Sequence, residues 1–318
     1  MRVLAPAGRG GQRWLPRGLR SPLALRRLAL ASVIANVVIV VTGGAVRLTN
    51  SGLGCPTWPS CTDASLTPTK AYAIHGIIEF TNRQLTFVLV FIALATWLAA
   101  LAQRRERTLA TAAALGIPAQ AVLGGFTVLT HLNPWLVAAH FLLSMGIIAV
   151  TYWLWSRVRG GPEPGELPAA ARQLIRGTVL VAAAVLALGT VVTGSGPHAG
   201  APDVSGKVHR TGLNVASMAQ LHADSVMVLI GLSSGVVAVV YALRCADLVR
   251  RAAVGLLAIE LAQGIIGYSQ YFLHVPPLLV GLHMLGACLV WIAALRLLLL
   301  VEPAAAPRPL AQQVARAQ

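Results

Sequence analysis

Charge is scarce in this sequence. Only 11 % of its 318 residues are Asp, Glu, Lys or Arg, where soluble domains carry about 25 %. Acidic side chains are the scarcest part of that, ten against 25 Lys and Arg. Hydrophobic residues make up 56 % and the mean hydropathy is +0.72. A chain of this size cannot hide so much apolar surface in a water-soluble core, which excludes a pair of soluble domains and leaves an integral membrane protein.

Also missing is any HxxxH or CxxC grouping, which argues against a zinc or copper centre. Inner-side histidines are missing too, once the chain is threaded through a bilayer. Eight apolar runs are each long enough to cross roughly 30 Å of hydrocarbon as helix: 28–46, 74–101, 108–130, 135–156, 174–194, 213–243, 252–272 and 277–301. They are continuous rather than alternating, which favours helices over barrel strands. The first run is longer than the 7–15 or so residues of a signal-peptide core and lacks a small-x-small site after it, so it reads as a first helix.

The distribution of basic residues then fixes the expected orientation. With the N-terminus inside, 20 of the 25 Lys and Arg fall on the inner side, four (Arg47, Lys70, Lys207, Arg210) on the outer side, and Arg83 within a span. The net charge of +15 is therefore a topology signal, with attraction to anionic lipid, rather than a nucleic-acid footprint; no nucleic-acid partner is expected. All eight histidines then lie in outer loops or in the outer halves of helices.

The two halves of the chain resemble each other. Gln120, Gly124, His131, Pro134 and His140 recur as Gln263, Gly267, His274, Pro277 and His283, each 143 residues later. Thr42–Gly43 is echoed by Thr193–Gly194, and Asn82 stands opposite His222. Four helices per half is an even number, so the repeat is parallel. The expected fold is all-α: two four-helix bundles, residues 28–156 and 174–301, with an inner linker at 157–173. An Arg-rich N-terminus (1–27) and a tail (302–318) complete the chain, both inside.

Histidine within a span is costly and marks function. A porphyrin takes one axial ligand from each face, and His222 with His283, from the sixth and eighth spans, can supply both; the alternative is that each bonds a neighbouring helix. In the first half His140 matches His283, but Asn82 replaces the second imidazole. One face of the porphyrin there is open, the arrangement suited to substrate chemistry. His75, Glu79, Asn82 and Thr86 share one face of the second span, and Arg83 follows Glu79 by four residues, a favourable ion-pair spacing. Glu79 reads either as a proton-handling carboxylate beside the open site or as a structural ion pair. Cys55 and Cys61 lie in the first outer loop, where the oxidising side permits a disulfide; two free thiols are the alternative.

Several of these segments resemble the haem A synthases. The likeness is carried by TGGAVRLTNSGLGCPTWPSC (42–61), EFTNR (79–83), TGSGPHAG (193–200) and the surroundings of His140, His222 and His283, and it spans about residues 30–300. It implies a membrane oxidoreductase that converts haem O to haem A by stepwise oxidation of the C8 methyl to a formyl, for cytochrome oxidase. It further implies haem b between His222 and His283. The substrate haem would lie in the first half with Glu79 and His140 as catalytic residues, among Asn82, Arg83, His75 and His131. Cys55 and Cys61 resemble the family's disulfide pair, and Arg47, Lys207 and Arg210 are candidates for the haem propionates. Expected partners are a haem O synthase, cytochrome oxidase assembly factors, a membrane electron donor and a second copy of the chain, in a bacterial plasma membrane with both haem sites towards the outer face. The sequence departs from the family at Asn82, where many members have histidine, so the substrate is expected to be five-coordinate or completed by His75 or another group. It departs again at 195–212, which has no cysteines. A diheme b-type electron carrier without haem-modifying activity is the alternative function.

Overall fold

In lipid a backbone has to satisfy its own hydrogen bonds, and the chain does so by helix formation. The computed structural model describes residues 17–70, 73–160, 167–201 and 208–302. Among these residues there are eight α-helices, each long and apolar enough to cross a membrane. They are α1 (Pro22–Leu48), α2 (Ala73–Gln103), α3 (Arg107–Leu129), α4 (Pro134–Arg159), α5 (Ala169–Ser195), α6 (Val215–Ala242), α7 (Asp247–Phe272) and α8 (Pro277–Val301). No strand forms among the described residues, only an isolated bridge between Thr62 and Ser65.

Most helices are longer than the apolar runs that announce them. The run at 174–194 is the middle of Ala169–Ser195, and 135–156 continues to Arg159. Hydropathy marks the hydrocarbon, whereas backbone hydrogen bonding carries on into the headgroup region. The starts are set by local chemistry. Pro22, Pro134 and Pro277 occupy the first turn, where a missing N–H costs nothing. Asn133 and Asn214 accept bonds from the first free N–H groups of α4 and α6.

In the first half, α1–α2, α2–α3, α3–α4 and α1–α4 are in contact and close a ring; α5–α6, α6–α7, α7–α8 and α5–α8 do the same in the second. The halves meet through α1–α8, α4–α5 and α4–α8. Leu25, Ala29, Ala99, Ala100, Ala110 and Leu154 pack one end of the first ring, near the start of α1, its alanines allowing close helix approach. Ile175, Leu229, Leu256 and Leu297 fill the second. Large apolar side chains such as Phe87, Phe91, Leu180, Ile265 and Leu278 point outwards, as a lipid-facing surface requires.

The repeat is visible in backbone detail. At the end of α3, His131 and Leu132 adopt positive φ (53° and 62°), and at the end of α7 so do His274 and Val275 (60° and 62°). The same two bonds close each turn: Leu132 N–H to Thr127 and His131 N–H to Val128, Val275 N–H to Gln270 and His274 N–H to Tyr271. This is a Schellman ending with histidine in the place usually taken by glycine.

Loops at one end of the helices lock the halves together. Gly52 N–H donates to the Gly200 carbonyl (2.7 Å). Arg47, at the end of α1, donates to the carbonyls of His198 (2.8 Å) and Thr193 (3.0 Å). His198 Nε2 lies 2.9 Å from the Val275 carbonyl, so the α5–α6 loop also holds the α7–α8 turn. Leu132 packs with Ala199, Ala201 and Val208 of this loop in a small apolar cluster.

Candidate functional site

His222 projects from α6 and His283 from α8, helices not in direct contact across the second ring. Their imidazole rings face each other with centroids 6.5 Å apart and planes at 76°. A first-row metal–imidazole bond is about 2 Å and the ring centroid lies about 1.1 Å behind the ligating nitrogen, so two imidazoles on opposite faces of one metal have centroids about 6 Å apart. The observed pair fits that requirement. Each ring also has a buried Nδ1 without a hydrogen-bond partner, an unusual condition for a buried polar atom. The residues present therefore suit a haem iron held from both faces. What converges here is a pair: among the described residues no three His, Cys, Asp or Glu side chains gather as a metal cluster.

Glycines lie against these rings. A Cβ built on Gly189 of α5 would lie 3.3 Å from His222 Cε1, and one on Gly267 of α7 would lie 3.5 Å from His283 Cε1. The first half repeats the arrangement around His140, where a Cβ on Gly124 of α3 would come within 2.9 Å of Cε1. His140 Nδ1 is likewise buried and unpartnered. Its carbonyl accepts a bond from Gln120 Nε2 at 2.7 Å, which ties α3 to α4 beside the ring. The fourth position is Asn82 on α2, with Gly43 of α1 nearby (3.9 Å from a built Cβ to Nδ2). Asn82 Oδ1 is buried without a partner, so this side chain too presents an unused polar atom inside the ring of helices.

Glu79 and Arg83 form a separate cluster near the start of α2. Glu79 is only 5 % exposed. Its Oε1 pairs with Arg83 (2.5 Å to one terminal nitrogen, 3.2 Å to Nε) and its Oε2 accepts the Cys55 N–H at 2.7 Å. Arg83 then donates to the carbonyls of Cys55 (2.8 Å), Thr57 (2.9 Å) and Ser60 (3.1 Å). The loop held this way contains the Cys55–Cys61 disulfide, both cysteines fully buried. Gly54 packs directly on the α2 backbone at His75, and Gly125 of α3 lies under the Trp58 ring, so the loop forms a fitted lid on α2 and α3. Buried charges are tolerated when paired and hydrogen-bonded throughout, and this pair is.

The remaining expected site residues are placed elsewhere. His75 is exposed at the start of α2, with Nδ1 3.0 Å from Ser51 Oγ. His131 is exposed at the α3–α4 turn, where its left-handed backbone closes the helix. Arg47 is spent on loop carbonyls, and Arg210 donates to the Pro197 carbonyl at 2.5 Å. Lys207 lies outside the described residues. Sequence reasoning passed over the glycines that face the rings, although Gly124 and Gly267 are part of the repeat, and it passed over Glu260, a carboxyl in the middle of α7.

With this geometry in view, likeness to known proteins becomes informative. A sequence profile of the cytochrome oxidase assembly protein family matches residues 26–295, most of the chain and all eight helices in whole or in part. The chain belongs to the cytochrome oxidase assembly protein family. Individual members of known name are more distant. A protein named heme A synthase from Geobacillus thermodenitrificans is 29 % identical over 158 residues, 48 % of this chain and 49 % of that one. The heme A synthase of Geobacillus kaustophilus is 31 % identical over 136 residues (41 % and 42 %), and that of Exiguobacterium sibiricum 30 % over 180 residues (52 % and 59 %). The chain thus spans about half the length of these relatives.

Proposed function

We propose that this protein is a haem A synthase-type oxidoreductase of a bacterial plasma membrane, converting haem O to haem A by stepwise oxidation of the C8 methyl to a formyl. The observation that carries the reading is the 6.5 Å pair of His222 and His283, set beside a first ring of helices that keeps His140 and carries Asn82 on α2. His222 and His283 would hold haem b, which when bound supplies one-electron transfer between the substrate site and a membrane redox partner. His140 takes the iron of the substrate haem on one face. Asn82 offers no second imidazole there, so the substrate haem would be five-coordinate or completed by another group. Gly124 lets the His140 ring turn towards the interior, and Gln120 fixes the backbone that carries it.

Glu79 and Arg83 act through the loop they anchor. By holding residues 55–60 over α2 and α3 they exclude water from the outer end of the first ring and keep the substrate aligned. The chain is read with both termini inside and both haem sites towards the outer face, in keeping with its basic residues. Haem O synthase and cytochrome oxidase assembly factors are its natural neighbours.

The test is expression in a host lacking haem A, alone and together with a haem O synthase, followed by pyridine haemochrome spectra of the membranes. Haem A should appear only in the second case. Persistence of haem O with no haem A, in membranes where the protein is folded and carries haem b, would exclude the activity.

A further inference from the structure

Glu260 sits at the centre of α7 and is 2 % exposed. Its Oε1 accepts a bond from Ser233 Oγ of α6 at 2.9 Å, and its Oε2 is buried with no partner. The helices packed on α7 are α6 and α8. Their titratable groups are His222, Asp224 and Tyr241 on α6 and His283, Cys288 and Arg296 on α8. None of them pairs or hydrogen-bonds with Glu260. A carboxylate charge in such a place is costly unless something positive compensates it.

The sequence of α7 shows where compensation is available. Residues 260, 263 and 267 fall on one side of the helix. Gln263 packs against Gly286 of α8 and has a buried, unpartnered Oε1. Gly267 lies on the His283 ring. A polar column therefore leads from Glu260 to the edge of the histidine pair, about 10 Å along the helix axis. The repeat supplies the control. In the first half Gln120 and Gly124 are kept, but Ile117, 4 % exposed, stands in the place of Glu260. An isoleucine suffices to build this position of the ring, so the carboxyl is not needed for packing, and it occurs only in the half that has both imidazoles.

We infer that Glu260 is a proton-binding site coupled to the haem of the second half: it takes up one proton when that haem gains an electron and releases it on oxidation. This rests on the reading of His222 and His283 as haem ligands. An oxidised bis-imidazole haem core carries one net positive charge, which balances an ionised Glu260 through a medium with little screening. A one-electron donor reduces iron(III) to iron(II) and removes that charge. A proton from water then adds to the Glu260 carboxylate, and the interior is neutral again. By linkage, proton binding and reduction favour each other.

The experiment is a spectroelectrochemical titration of the purified, haem-loaded full chain over a series of pH values, for wild type, Glu260→Gln and Glu260→Ile. The wild-type midpoint should fall as pH rises, with a slope of up to about 59 mV per pH unit for one proton per electron. Both variants should lose this slope. Glu260→Ile copies the first half's own solution and gives the answer should the glutamine variant fold poorly. Infrared difference spectra between the two redox states should show a carboxylic acid carbonyl band in wild type that is absent from both variants. A bis-imidazole spectrum with the wild-type slope and band retained in the variants overturns the proton site alone. A wild type with no bis-imidazole spectrum overturns the haem reading, and the proton site with it.

Discussion

His222 and His283, 61 residues apart in the chain, come to face each other at 6.5 Å across a ring of four helices, with their unpartnered Nδ1 atoms buried. Neither ring is paired with a carboxylate, although the Val185 backbone lies within reach of His222. The pair has the spacing that a shared metal sets.

Removing either imidazole should therefore eliminate the bis-imidazole haem while leaving the helices in place. In His222→Ala and His283→Ala the low-spin absorption bands should be lost from the purified protein, with helix content by circular dichroism unchanged. Retention of the same bands in both variants would show that the ligands are elsewhere.

The glycine contacts give a graded prediction. A methyl at Gly124 would press on the His140 ring at 2.9 Å, whereas one at Gly267 would meet His283 at an ordinary 3.5 Å. An imidazole enclosed in helices has little room to retreat, so Gly124→Ala should lower retention of haem O by tenfold or more, equivalent to about 1.4 kcal/mol. Gly267→Ala should leave the haem b spectrum nearly unchanged. Equal tolerance at both positions would contradict the packing.

The Glu79–Arg83 pair should be more important to the loop than to the helix. Breaking a buried pair from one side costs about 3–5 kcal/mol. Arg83→Leu should leave Glu79 uncompensated and free the carbonyls of Cys55, Thr57 and Ser60, and the Cys55–Cys61 disulfide should then be reduced faster by a hydrophilic thiol. Arg83→Lys keeps the charge but loses the planar fork that reaches several acceptors, and it should be intermediate. Thiol-labelling kinetics decide between these outcomes.

Asn82→His should convert the first ring to the arrangement of the second. The expected result is a second bis-imidazole haem signal and a changed affinity for haem O. A spectrum and affinity both unchanged would place Asn82 away from the iron.

The eight spans were legible because about 20 apolar residues in a row have few other uses, and the repeat was legible because five identities share one spacing. The ends were less so: α5 begins at Ala169 rather than 174 because alanines and arginines continue a helix beyond the hydrocarbon. His131 shows a different limit. Its residue type and place in the repeat resemble those of a ligand, yet it serves a left-handed helix end, a position where histidine is enriched among non-glycine residues. By charge alone Arg47 is a candidate for a propionate or equally for a solvated or headgroup-facing role. Its partners, the carbonyls of Thr193 and His198, lie 146 and 151 residues away, and no local pattern could reveal them. Glu260 could have been found, since aligning the halves sets it against Ile117.

Two neighbouring glycines of α1 face in different directions. Gly43 looks towards Asn82 in the first ring, while Gly44 receives the tip of Met284, the residue after His283, at the boundary with the second. The partition between the two chambers is therefore no thicker there than two helix backbones and one thioether side chain. On the proposed reading, only that thin wall stands between the permanent porphyrin and the substrate one, so single electrons could pass between them without a further redox centre.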